Sequence, residues 1–186
     1  CDGYHYAGKA IDRMDVLAAL AQKLPTVDTV LVIGYLSAQL DCSRLPNAML
    51  FDSALASAAP IAQFRRMPFN APLYILYSSG TTGAPKCIVH GIGGTLLQHI
   101  KEHRLHTNLT AGDTFFYFTT CGWMMWNWLV SGLASKAHIL LYDGNPAYPG
   151  PDRLWRLAES ENISIFGTSA KYLSLIHISE PTRPVP

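Results

Sequence analysis

The sequence predicts an α/β fold of layered, parallel-rich sheets with flanking helices, and three observations predict it. Apolar runs of strand length alternate with stretches of helical period along most of the chain. One of these runs, "TVLVIG" at 29–34, is β-branched in the way of strands inside parallel sheets. Finally, 49% of the 186 residues are apolar and only 15% charged, enough to bury a substantial core. Strands that alternate singly with helices pair in parallel, because each helix returns the chain to the same end of the sheet.

The elements follow in order. Ile11, Met14, Leu17, Ala18, Ala21 and Leu24 recur at helical spacing, and Pro25 stops that helix. The 29–34 run reads as a strand buried on both faces. Residues 37–72 are less regular, broken by Pro46, Pro60, Pro68 and Pro72, and hold one helix near 53–59. The order then becomes strand 73–77, loop 78–85, strand 86–90, helix 95–106 and strand 115–119. Helix 123–135, strand 138–142, helix 152–161 and strand 163–167 complete it. Thr95 and Gln98 have the spacing of a capping box, and Asp152 stands where it can cap its helix.

Composition excludes several classes. Lys plus Arg number 14 against 13 Asp plus Glu, a net charge of +1 with no basic run beyond Arg65-Arg66, so nucleic acid is not an expected partner. Cys1, Cys42, Cys87 and Cys121 are scattered and form no Cys-x-x-Cys pair, which fits a reducing, cytoplasmic setting better than a disulfide framework. The two glycosylation sequons, at Asn108 and Asn162, read as chance matches. Residues 114–135 carry no charge and are long enough to span a bilayer. Their pattern changes at Cys121-Gly122, from strand-like to helical, so two short buried elements are expected instead of one span.

The chemistry concentrates in "YSSGTTGAPKCIVH" (77–90). A phosphate chain spreads its charge over several oxygens and needs many short donors around it. Gly80 and Gly83 let backbone amides curl round such a ligand, and the hydroxyls of Ser78, Ser79, Thr81 and Thr82 add donors that rotate to fit. Lys86 adds one positive charge. A Walker loop would place Gly-Lys-Ser/Thr at the opening of a helix. Here Pro85 takes the glycine's place, Cys87 follows the lysine, and "KCIVH" reads as a strand. The expected geometry is strand–loop–strand, a flap over phosphates. An unrelated P-loop hydrolase is the rival, and Lys86 at the start of a helix would favour it.

This stretch resembles the phosphate-binding signature of the adenylate-forming acyl-CoA synthetases. "TTCGWMMWNWLVSGL" (119–133) and "IFGTSAKYL" (165–173) extend the resemblance. It implies part of the large N-terminal domain of an adenylate-forming enzyme, over residues 1–174. It also implies a two-step ligation. A small carboxylic acid, acetoacetate above all or another short acid such as acetate, attacks the α-phosphate of ATP, and coenzyme A then displaces AMP. Residues 78–83 would wrap the β- and γ-phosphates, with Thr82 and Lys86 in the catalytic role. Trp123, Trp126 and Asn127 would shape the acyl pocket. Gly167, Thr168 and Ser169 would form a turn near the acyl group and the route of the thiol. The acidic residue that helps to hold Mg2+, the ribose aspartate, the hinge and the C-terminal lysine have no counterparts in this sequence. The chain therefore reads as a fragment, inactive alone.

Three features are set apart. Residues 175–186, with Pro181, Pro184 and Pro186, resemble a translated sequencing-library adapter and are expected to be a tail foreign to the domain. His99, His103 and His106 share a helical face, and a solvated stripe is expected there in preference to a zinc site. "GIGG" (91–94) is expected to turn the chain into a helix starting at Thr95.

Overall fold

The computed structural model describes residues 1–78 and 83–179, the side chains of 175–179 excepted. Two compact units divide the chain between Phe64 and Arg65. In the first, β1 (Gly3–Tyr6) and β2 (Lys9–Asp12) pair antiparallel through a two-residue turn. Both turn residues, Ala7 and Gly8, have positive φ, the twist that such a hairpin requires. α1 (Met14–Lys23) starts where Asp12 Oδ1 accepts the Met14 amide at 2.8 Å, and it ends ahead of Pro25. β3 (Val30–Val32) runs parallel to β4 (Ala48–Leu50), which leads straight into α2 (Phe51–Ser57).

Val32, Ala18 and Leu45 make the core of this unit, with Met14, Leu17 and Ala21 packed on it. The 29–34 run is not buried on both faces: Leu31 and Ile33 are each 49% exposed. The sheet here has two strands, and successive side chains point to opposite faces, so only the face toward α1 is covered. Asp2 is buried, and its carboxylate takes the backbone amides of Tyr35, Leu36 and Ser37 at 2.8–3.1 Å, fastening the loop after β3.

The second unit begins with β5 (Pro72–Ser78) and β6 (Lys86–Gly91), an antiparallel pair. α3 (Ile92–Lys101) follows and continues into one π-helical turn, Glu102–His106. β7 (Thr114–Tyr117), α4 (Met124–Val130) with a 3-10 turn (Ser131–Ser135), β8 (His138–Leu140), α5 (Arg153–Ser160), β9 (Ile165–Gly167) and α6 (Ala170–Ser179) complete it. The sheet order is β8–β7–β9, all parallel. The adjacent phenylalanines of β7 explain its layers. Phe115 points to one face, with Leu109, Leu129 and Ala137. Phe116 points to the other, with Leu154 of α5 and Tyr172 of α6. Both rings are fully buried, each contributing about 1.5–3 kcal/mol of burial.

Residues 114–135 are thus β7 and α4, and among the described residues no helix is long and apolar enough to cross a membrane. The third helix starts earlier than expected. Gly91 is its N-cap, Gly93 and Gly94 lie in its first turn, and no side chain caps it; Thr95 is instead buried inside the helix. Phe69 decides this, because its ring packs so close to Gly93 that a Cβ there would lie 2.1 Å from Cδ2. That contact offsets the roughly 1 kcal/mol that each helical glycine costs. Asp152 does stand at the N-cap of α5, but its carboxylate pairs with Arg156.

Candidate functional site

Ser78 is the last residue of β5 and sits opposite Lys86, the first residue of β6. The geometry is strand–loop–strand, and the lysine starts a strand, which removes the P-loop alternative. Lys86 is exposed and has no ion pair among the described residues. Gly83 has φ +120°, a conformation that only glycine takes easily, and it lets the chain turn back toward β6. Ser79, Gly80, Thr81 and Thr82 lie outside the described residues.

Two cavities open beside this hairpin. The larger, ≈ 640 Å³, is bounded by Tyr74, His90, Gln98, His99, Met125 and Trp128. The second, ≈ 320 Å³, is almost wholly apolar and is lined by Leu73, Ile92, Trp126, Asn127, Val130 and Ser131. Tyr74, Thr95 and His99 border both, and so form the wall between them. A third cavity, ≈ 420 Å³, lies at the carboxyl ends of β7 and β8, among Thr119, Thr120, Cys121, Trp126, Tyr142 and Gly144. Strand ends of parallel sheets are where such folds take ligands.

The residues predicted for an acyl pocket are not all brought together. Trp126 and Asn127 share the second cavity, and Trp126 also reaches the third. Trp123 is the N-cap of α4, 52% exposed, and borders none of the three cavities. Gly167 ends β9 against the Tyr117 ring, where a Cβ would lie 2.1 Å from Cδ2. Next to it the buried Thr168 hydroxyl has no hydrogen-bond partner, and Ser169 Oγ accepts the Tyr172 amide at 3.2 Å.

The histidines are not a solvated stripe. His99 is 8% exposed and His103 fully buried, whereas His106 is exposed. His103 packs against Phe115 and Trp128, with ring centroids 5.4 and 4.6 Å away, and the π turn carries His106 out of phase with the other two. His99 Nδ1 lies 2.8 Å from Ser131 Oγ. Neither nitrogen of His103 makes a well-formed hydrogen bond, and the Trp128 backbone approaches it only weakly. Burial, and then the neighbouring His90, push the His99 pKa down against a weaker pull from Glu102. Burial and then His99 lower that of His103. Both rings are accordingly neutral near pH 7. Nothing in the spacing of these histidines distinguished a buried pair from an exposed one.

The second unit thus combines an antiparallel hairpin, whose strands flank the glycine- and hydroxyl-rich segment, with a parallel sheet whose strand ends open to a cavity. The AMP-binding enzyme family model matches residues 9–183, and the chain belongs to that family. It is similar to the acetoacetyl-CoA synthetase of Gallus gallus, 47% identical over 177 residues, covering 92% of this chain and 26% of that protein. The acetoacetyl-coenzyme A synthetase of Rhizobium meliloti (strain 1021) is 49% identical over 176 residues, covering 95% and 27%. The solved acetoacetyl-CoA synthetase from Streptomyces lividans superposes with a TM-score of 0.86 at 43% identity, over 96% of this chain and 27% of that one. The chain thus spans about a quarter of the length of these relatives.

Proposed function

We propose that these residues form the phosphate-gripping hairpin and part of the acid subsite of an ATP-dependent acid–thiol ligase acting on acetoacetate. The observation that carries the reading is the Ser78–Lys86 rung, where the two strands flanking the glycine- and hydroxyl-rich segment pair and Lys86 has no ion pair among the described residues. The names of the relatives support the acid, and a neutral apolar cavity of ≈ 320 Å³ beside Trp126 and Asn127 suits a short chain.

In this reading Ser78, Ser79, Gly80, Thr81, Thr82 and Gly83 hold the β- and γ-phosphates. Thr82 and Lys86 stabilise the charge that grows on them as the acid carboxylate attacks the α-phosphorus and pyrophosphate departs. Such catalysis is chiefly orientation and preorganised charge, requiring no proton movement at the loop. Trp126 and Asn127 line the acyl group in the smaller cavity, the family resemblance adds Trp123 and the 167–169 turn to the acid side, and coenzyme A thiol then displaces AMP. Mg2+ would accompany the phosphates of ATP. The scattered free cysteines support a cytoplasmic setting.

The test is acetoacetate-dependent ATP–pyrophosphate exchange by the full-length protein that carries these residues. Lys86→Ala and Thr82→Ala should each lower exchange by about 10²-fold or more. Exchange at the parental rate in both variants would remove the loop from the reaction.

A further inference from the structure

The geometry points to His99 as the proton acceptor for the thiol in the second half-reaction, with the ≈ 640 Å³ cavity as the thiol's approach. This rests on the ligase reading above and deepens it.

The hydrogen bonds around His99 fix which nitrogen carries the proton. Ser131 Oγ lies 2.8 Å from His99 Nδ1 and also donates to the Trp128 carbonyl at 2.8 Å. A serine has one proton, and a carbonyl can only accept. Both contacts are satisfied together only if the hydroxyl proton goes to the carbonyl and Nδ1–H donates to Oγ. In a neutral ring Nε2 is then an unprotonated lone pair. Among the described residues Nε2 has no hydrogen-bond partner, and it is not one of the sealed orphan atoms. His99 borders both hairpin cavities, so this lone pair is an acceptor available to a ligand.

A keto or carboxylate oxygen carries no proton for such a lone pair; a thiol does. Four ladder positions, about 13 Å, separate the Ser78–Lys86 rung from the Tyr74–His90 rung at the cavity. One hairpin therefore carries the phosphate grip at one end and the wall that holds His99 at the other. The smaller cavity, with Trp126 and Asn127, takes the acid, leaving the larger for a slender thiol arm between Val89, Met124 and Met125. In the step itself the S–H bond breaks and its proton passes to Nε2. The sulfur pair forms the S–C bond to the acyl carbon, and the C–O bond to the AMP phosphate breaks with its electrons leaving on AMP. The charged or titratable groups facing His99 are His90 from β6, Tyr74 from β5, and Glu102 and His103 from its own helical run. The burial-lowered pKa of His99 keeps it neutral, ready to accept, at neutral pH.

The experiment separates the half-reactions in the full-length protein, using acetoacetate, ATP and coenzyme A. His99→Asn keeps a donor at the Nδ1 position for Ser131 and removes the Nε2 acceptor. Single-turnover release of AMP on adding coenzyme A should fall by about 10²-fold and lose its acid limb, a loss well beyond any change in pyrophosphate exchange. His99→Ala should regain the thiol step with added imidazole, which the open cavity admits. Thiol transfer at the parental rate in His99→Asn, equal loss of both half-reactions in it, or no imidazole rescue of His99→Ala would overturn the assignment. If the parent itself shows no acid-dependent exchange, the ligase reading fails, and this inference with it.

Discussion

Lowering the pH from 7.5 to 5.5 should loosen α3 specifically, and the two buried histidines set how much. Each has a folded pKa below its unfolded value near 6.5, so below that pH the unfolded chain binds more protons than the folded one. Stability therefore rises with pH: the histidine contribution is complete above about pH 6.5 and is lost as pH falls toward the folded values. Below that pH a ring that stays neutral in the fold costs at most about 1.4 kcal/mol of stability per pH unit. The ring centroids are 6.3 Å apart, and His99 adds to the burial that lowers the His103 pKa. Hydrogen exchange of the Ile92–Lys101 amides in the full-length protein, corrected for intrinsic rates, reads the opening energy at each pH. His103→Leu, which fills the site between Phe115 and Trp128 with an apolar side chain, should remove about half the slope. Equal opening energies at pH 7.5 and 5.5, or an unchanged slope in His103→Leu, would refute the neutral buried pair.

Three further outcomes can be measured in the same protein. Phe116→Ala empties a fully buried site against Leu154 and Tyr172 and should cost about 3–5 kcal/mol by denaturant-induced unfolding. Gly93→Ala drives a Cβ into Phe69 and should cost about 1–3 kcal/mol, most of it recovered in the Gly93→Ala/Phe69→Ala double variant. For Asp2, burial pushes the pKa up, but the amides of Leu36, Tyr35 and Ser37 more than offset it and hold the carboxyl below its usual 3.8. Its contribution should be present above pH 3.8 and fade only as pH falls further. Asp2→Ala should abolish that acid-side dependence and expose the 35–37 amides to exchange.

What the sequence by itself determined was local. Strand–loop–strand around the hydroxyl-rich loop followed from Pro85 and the β-branched "KCIVH", since neither suits a helix opening. The break at Cys121-Gly122 separated β7 from α4 without any knowledge of neighbours, and the alternation of periods implied parallel pairing. Tertiary structure decided the rest, because contacts distant in sequence supplied the larger energies. The β1–β2 hairpin turns on Ala7-Gly8, which lacks the usual asparagine signal, and β4 forms in a proline-broken region only because β3 offers an edge. Phe69 moved the start of α3 onto glycines, overriding a capping pattern at Thr95. Whether a histidine at helical spacing meets water or an interior depends on what lies across from it. Phe115 and Trp128, brought over His103 by the sheet and by α4, made that choice.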